Sequence, residues 1–294
     1  MDFLVRLHRI AYKKNKMIKT NKYGLNRSGM AALSDMECPE YKKYFSLLEA
    51  DQEYFLDKEQ SFRSQEYKWP RDSLHCWSRI WEYPYVYYHL KNEKKLGERT
   101  NIRVVDFGSG VTFFPFSVAR LGCHVQCLDI DPICEKDLQR AALTVDHNPG
   151  KVTFSPIRNS RSSLKDSEAD AVYCISVLEH IPDFELSLLE IVRILKPNGL
   201  FILTIDIDMC GYNDIGAKRY YEMRKLLDCY FSFQEIEVST HPLDILTQYR
   251  NVSLLRQIKF QLKQQAKAIL NKNHNSNYPN LAVWGGALRK RTKR

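Results

Sequence analysis

The 294-residue sequence has no run of about 18 apolar residues, so no transmembrane helix is expected. Its eight cysteines include no C-x-x-C pair. That spacing argues against a zinc site or a disulfide framework and for reduced, buried thiols. Acidic residues are missing from the ends. Residues 250–294 hold eleven Lys and Arg and no acid, and residues 1–30 hold eight against a single Asp. The overall charge is +9, so the long middle of the chain must be net acidic. A basic nucleic-acid groove through that middle is disfavoured, whereas the basic ends suit a peripheral contact with phosphate or anionic lipid. The N-terminus also lacks the apolar centre and small-residue cleavage site of a secretory signal. A cytoplasmic protein, peripheral to a membrane at most, is the expectation.

What is present divides into three stretches. Residues 1–30 read as a basic arm, in which Phe3, Leu4, Leu7, Ile10 and Ala11 recur at helical spacing. Residues 31–100 read as a helical, aromatic-rich cap, with one helix predicted over 39–62. Residues 67–90 are dense in Trp and Tyr and include Arg79-Ile80-Trp81-Glu82-Tyr83-Pro84-Tyr85. Such rings either pack on a sheet or line a pocket, and Trp81, Glu82 and Tyr83 are the candidates for acceptor binding.

From residue 101 the pattern alternates strand and helix. Strands are predicted at 103–106, 124–128, 152–155, 171–175, 200–205, 232–238 and 281–288. Helices are predicted at 114–121, 132–144, 184–195 and 217–230. Alternation with helices of that length implies a doubly wound α/β domain with a mostly parallel seven-stranded sheet. A long insertion, 241–280, permits an antiparallel last strand. Val252, Leu255, Ile258, Leu262, Ala266 and Ile269 give that insertion an apolar stripe, fit for a lid, a homodimer element or a membrane-facing helix.

The chemistry concentrates at Val104-Val105-Asp106-Phe107-Gly108-Ser109-Gly110, a buried strand running into a glycine turn. Gly108 and Gly110 admit a ligand close to the backbone, and the following helix directs free N–H groups at it. A dinucleotide turn would place a third glycine where Phe113 stands, and Asp106 would repel a phosphate. Asp129, 19 residues beyond Gly110, ends the second strand, where a carboxylate can accept from two ribose hydroxyls.

Together with Asp170-Ala171-Val172-Tyr173-Cys174-Ile175-Ser176-Val177-Leu178-Glu179-His180-Ile181-Pro182-Asp183 and Leu188-Leu189-Glu190-Ile191-Val192-Arg193-Ile194-Leu195-Lys196-Pro197-Asn198-Gly199, this turn resembles the class I S-adenosylmethionine-dependent methyltransferases, in their small-molecule branch. The resemblance covers about residues 101–206 and implies a Rossmann-like fold with S-adenosyl-L-methionine as cofactor. It places Asp106, Phe107, Gly108, Ser109 and Gly110 around the methionine part, Asp129 on the ribose and Ile130 on the adenine. Ser176 and Val177 would line the cofactor, with Asn159 or Ser160 at the adenine amine, where relatives carry an acid. Asn198 stands where a glycine is usual.

Glu179 and His180 would face the acceptor. His180 is the first candidate for the base, with His241 and Asp206 behind it, and His241 also joins the acceptor-binding candidates. Metal-dependent relatives carry Glu-x-x-Glu-His; Ser176 occupies the first of those positions, so no metal is expected. The reading is methyl transfer to a hydroxyl or amine of a small acceptor such as a sugar, glycolipid precursor or secondary metabolite. An RNA methyltransferase would want basic residues beside the pocket. A non-catalytic binding protein would have no need of the intact Asp106, Gly108, Gly110 and Asp129 set.

Overall fold

A computed structural model describes residues 24–93, 102–209, 216–248 and 281–292. The amphipathic stripes at 3–11 and 252–269 lie outside the described residues. Strand β1 (Gly29–Met30) precedes helix α1 (Pro39–Asp57) and helix α2 (Arg79–Lys91). Then come β2 (Arg103–Phe107), α3 (Phe114–Ala119), β3 (His124–Asp129), α4 (Pro132–Thr144), β4 (Lys151–Pro156) and β5 (Ala169–Ile175). The chain closes with α5 (Phe184–Ile194), β6 (Leu195–Asp208), α6 (Ala217–Tyr230), β7 (Phe231–Phe233) and β8 (Leu281–Lys290).

One sheet runs in the order β1-β8-β6-β5-β2-β3-β4, with β7 pairing β8 off that path. The strands from β2 to β6 pair in parallel, and β8 runs antiparallel to β6, β1 and β7. The sheet therefore has eight strands rather than the seven read from the sequence. The addition is β1, whose two residues register against Gly285 and Trp284. Neighbouring Leu25 and Arg27 are buried too. The described part of the basic arm, from residue 24, is thus built into the sheet edge. The strand expected over 232–238 shrinks to three residues, because Ile236 stands 82% exposed and the chain leaves the ladder there.

Side chains alternate between two cores, as period-2 strands require. Val104, Ala171, Tyr173 and Ile202 point into one cluster, and Val105, Val172, Cys174 and Phe201 into the other. The first core also takes Trp81, Tyr83, Tyr85, Tyr87 and Leu90 of α2, so this aromatic helix covers the sheet. Pro84 sits inside it. Proline removes the N–H that would reach the carbonyl four residues back; that carbonyl, on Ile80, instead accepts from the Tyr41 hydroxyl of α1 at 2.9 Å.

Trp81 is 1% exposed and stacks on Tyr85 at 4.4 Å. Its indole N–H donates to Asp35 Oδ2 at 2.9 Å, the oxygen that also takes Arg27 at 2.7 Å. A Cβ on Gly285 would come within 2.7 Å of the same ring, so only glycine fits opposite it. Among the described residues no helix is long and apolar enough to cross a membrane. The described cysteines are all free; Cys229 is exposed and Cys76 half-buried, against the expectation of buried thiols throughout.

Candidate active site

In open parallel sheets the ligand crevice lies beyond the carboxyl ends of the strands. Here β2 and β3 end at Phe107 and Asp129, and the turn between strand and helix folds back on both. Gly108 has φ +79° and Gly110 φ +53°. The Gly110 N–H donates to Asp129 Oδ2 at 2.9 Å and the Asp131 N–H to Oδ1 at 3.0 Å. Each carboxylate oxygen has two lone pairs, so both keep capacity for a ligand hydroxyl. A Cβ on Gly108 would press Val177 at 2.6 Å, which ties the turn to the end of β5. The Ser109 hydroxyl is buried, with the Cys127 thiol beside it and no oxygen or nitrogen partner among the described residues. Orphaned polar groups are costly unless a partner arrives, so the cradle suits a polar ligand.

Asp106 is buried beneath this turn. Burial pushes its carboxyl up to about 8, the adjacent Tyr173 hydroxyl pulls it back, and the Asp129 charge adds to the rise. Burial also raises Asp129, partly offset by its backbone N–H donors. A cationic ammonium beside Asp106 would reverse that rise. The folded state therefore holds a proton that the unfolded chain would lose near its ordinary value of 3.8. The stabilisation is complete below that ordinary value and disappears as pH rises toward 8. The melting temperature of the free protein is expected to fall between about pH 4 and about pH 8, and Asp106→Asn should flatten part of that fall. Equal slopes in both proteins would show that Asp106 is solvated.

The other cofactor candidates surround the turn. Phe107 is buried, Val177 half-buried, and Ile130 78% exposed at the mouth beside Asp129. Asn159 and Ser160 occupy a tight turn after β4, at φ +49° and +58°, closed by Arg158 and Arg161 backbone bonds of 2.9 and 3.0 Å. Ser176 ends β5 at φ +47°, an uncommon angle for serine and frequent at ligand sites. Asn198 adopts φ +57°, which accounts for Asn in place of glycine.

Sequence reasoning missed the roof. The Val111 N–H donates to the Tyr67 hydroxyl at 3.0 Å, and that oxygen stands 3.3 Å from where a Gly110 Cβ would be. Arg63 lies over the Tyr67 ring at 4.5 Å and donates to the Val111 carbonyl at 3.2 Å. Ser64 and Arg140 both bond Asp137, fastening this roof to α4. Nothing in the local pattern singled Tyr67 out from its aromatic neighbours; its partner lies 44 residues away.

The acceptor candidates separate. Glu82 is buried and accepts from the Ser176 hydroxyl at 2.7 Å, while Arg79 donates to its other oxygen. Glu179 accepts from the Asp206 N–H at 2.9 Å. Burial pushes Glu179 and Asp206 above the usual carboxylate range. His180 is exposed; partial desolvation, then Arg79 and Arg219, hold it below its ordinary value. Tyr83 lies in the core, stacked on Phe114 at 4.6 Å. Trp81, with its indole N–H on Asp35, is likewise interior, so both rings expected at the acceptor pack within the fold. His241 is exposed on a turn next to Thr240, which bonds Met30 of edge strand β1. Three strands separate that edge from β2. Among the described residues no three of His, Cys, Asp and Glu are arranged to hold a metal ion.

Residues 105–203 match the family described as a methyltransferase domain. A ubiquinone biosynthesis O-methyltransferase of Xanthomonas oryzae pv. oryzae is 31% identical over 109 residues, 35% of this chain and 43% of the relative. The enzyme of that name from Actinobacillus pleuropneumoniae is 28% identical over 116 residues, 37% and 48% of the two chains. The matches thus span less than half the length of either relative. A protein of Galdieria sulphuraria described as a sarcosine dimethylglycine methyltransferase shares the fold at a TM-score of 0.50 and 16% identity, over 83% of this chain and 98% of that one. With the parallel sheet, the glycine turn and the acid ending β3, residues 105–203 carry the match to a methyltransferase domain, and the chain shares the fold of the Galdieria protein.

Proposed function

We propose that the protein moves a methyl group from S-adenosyl-L-methionine to a hydroxyl of a small acceptor. The observation that carries this reading is the Gly108–Gly110 turn, held to Asp129 through the Gly110 N–H, above the buried and proton-holding Asp106. The cofactor supplies a methyl group already activated on a sulfonium, so the protein's part is to align the acceptor and exclude water. Asp106 and the Ser109 hydroxyl would take the polar methionine end, Asp129 the ribose hydroxyls, and Ile130 with Asn159 or Ser160 the adenine side. Phe107, Ser176 and Val177 would wall the pocket. Glu82, Glu179 and His180 would face the acceptor.

The relatives named as O-methyltransferases favour a hydroxyl over an amine; nothing in their names favours a sugar or glycolipid. The basic ends support an added contact with anionic lipid, tested by flotation with phosphatidylserine vesicles with and without residues 1–30. A mass screen of metabolite pools with protein and cofactor tests the main reading: a compound gaining one methylene supports it. Cofactor that binds and is never consumed across hydroxyl, amine and nucleic-acid pools would leave a binding protein.

Tyr67 would act as roof of this pocket. Tyr67→Phe leaves the Val111 N–H without its acceptor, a loss of about 0.5–1.5 kcal/mol. S-adenosylhomocysteine should bind about two- to tenfold more weakly by calorimetry. Unchanged affinity would mean that the roof is remote from the ligand.

A further inference from the structure

Four charged side chains converge where β5 and β6 end. Arg79 and Glu82 come from α2, Glu179 from the turn after β5, and Asp206 from β6. Both oxygens of Glu82 are engaged, one by Arg79 and one by Ser176. Glu179 and Asp206 differ. They are 2% and 8% exposed, and the Asp206 N–H fixes Glu179 Oε1 at 2.9 Å. Glu179 Oε2 and Asp206 Oδ1 are buried with no hydrogen-bond partner among the described residues. A buried carboxyl oxygen left unmet costs free energy, and Arg79, the cation that acts on both groups, is already paired with Glu82. What would complete the two carboxyls is a donor from outside the fold. They stand at the carboxyl edge of the sheet, one turn from Val177, which packs on Gly108.

We propose that Glu179 and Asp206 act as one carboxyl pair that binds the acceptor's hydroxyl and takes its proton, an inference resting on the methyltransferase reading above. The acceptor oxygen forms a bond to the methyl carbon as the carbon–sulfur bond breaks and its electron pair returns to sulfur. The hydroxyl proton passes to the ionised member of the pair, the other keeping its own proton, and then to solvent. Burial raises both carboxyls; Glu82 and then Glu179 raise Asp206 further, Glu82 also raises Glu179, and Arg79 opposes both; Cys174 of β5 also faces Glu179. Buried like charges cannot both ionise readily, so the pair retains proton affinity that an exposed carboxylate lacks. His180 is the poorer base, since partial desolvation, then Arg79 and Arg219, disfavour its protonated form.

Infrared difference titration of the full chain, with and without S-adenosylhomocysteine, reads the pair without any acceptor. A protonated-carboxyl band should persist at neutral pH, and both Glu179→Gln and Asp206→Asn should remove or shift it. Asp106→Asn identifies the band of the raised Asp106; the absence of any further band that responds to Glu179→Gln or Asp206→Asn overturns the proposal. Two near-isosteric variants guard against one failing to fold, and cofactor calorimetry reports whether each has. With catechol as probe acceptor, each variant should release S-adenosylhomocysteine about 100-fold more slowly at unchanged cofactor affinity. Asp206→Asn should also move the lower bend of the pH–rate profile toward acid, whereas His180→Gln should leave that bend in place. A bend that vanishes with His180→Gln and ignores Asp206→Asn overturns the proposal in favour of the imidazole. Failure of the wild-type chain to bind cofactor would instead sink the underlying reading, whatever the infrared titration gives.

Discussion

Replacing Trp81 with alanine is expected to cost about 3–5 kcal/mol, the range for deleting a large buried aromatic side chain. The ring is enclosed between Tyr85 and Gly285 and has no room to be replaced by collapse, because the Gly285 backbone is already against it. Its N–H also serves Asp35, whose carboxyl is fully buried and pairs with Arg27. Removing one donor from a buried carboxylate adds to the cavity cost. Domains hold only about 5–15 kcal/mol in total, so the urea midpoint should drop sharply while cofactor affinity per folded molecule stays the same. Trp69, by contrast, is 63% exposed, and Trp69→Ala should fall within about 0.5 kcal/mol of wild type. A small loss for Trp81→Ala would mean that the ring faces a pocket after all.

The second large effect is expected at the turn itself. In Gly110→Arg a left-handed residue gains a Cβ, at about 1–2 kcal/mol of backbone strain. The side chain would start 3.3 Å from the Tyr67 hydroxyl and have to run into the cradle. Cofactor binding should become undetectable by calorimetry while the protein still melts cooperatively. Gly108→Ala probes the opposite wall, since its Cβ would meet Val177 at 2.6 Å and shift the end of β5. Undiminished binding by Gly110→Arg would move the cofactor site elsewhere on the sheet.

The parallel half of the fold was legible because its signals are local. Asp131-Pro132 starts α4 as the pattern predicts: the Asp131 side chain accepts from the Ile133 N–H at 2.9 Å and proline takes the first turn. The helices at 132–144 and 217–230 fall where periodicity puts them. The glycine turn and Asp129 were legible for the same reason, and the structure brings them into direct hydrogen bonding.

What escaped was decided by distant partners. A two-residue strand such as β1 has no period to detect, and only β8, about 250 residues later, makes it one. Aromatic composition around Trp81 could not distinguish a pocket wall from a sheet cover; Asp35 and Gly285 settle that. The same holds for the carboxyl cluster. Glu82, Glu179 and Asp206 were each noticed, but their convergence depends on α2 crossing the ends of β5 and β6, with Arg79 as the shared cation.

Titration of the wild-type full chain with S-adenosylmethionine and S-adenosylhomocysteine, in two buffers of different ionisation enthalpy, tests the central claim most directly. Because an ammonium beside Asp106 lowers a carboxyl otherwise raised to about 8, binding should be one to one, should release protons below that pH, and should lose the proton release in Asp106→Asn. No heat with either compound in either buffer, from a folded chain, would contradict the account.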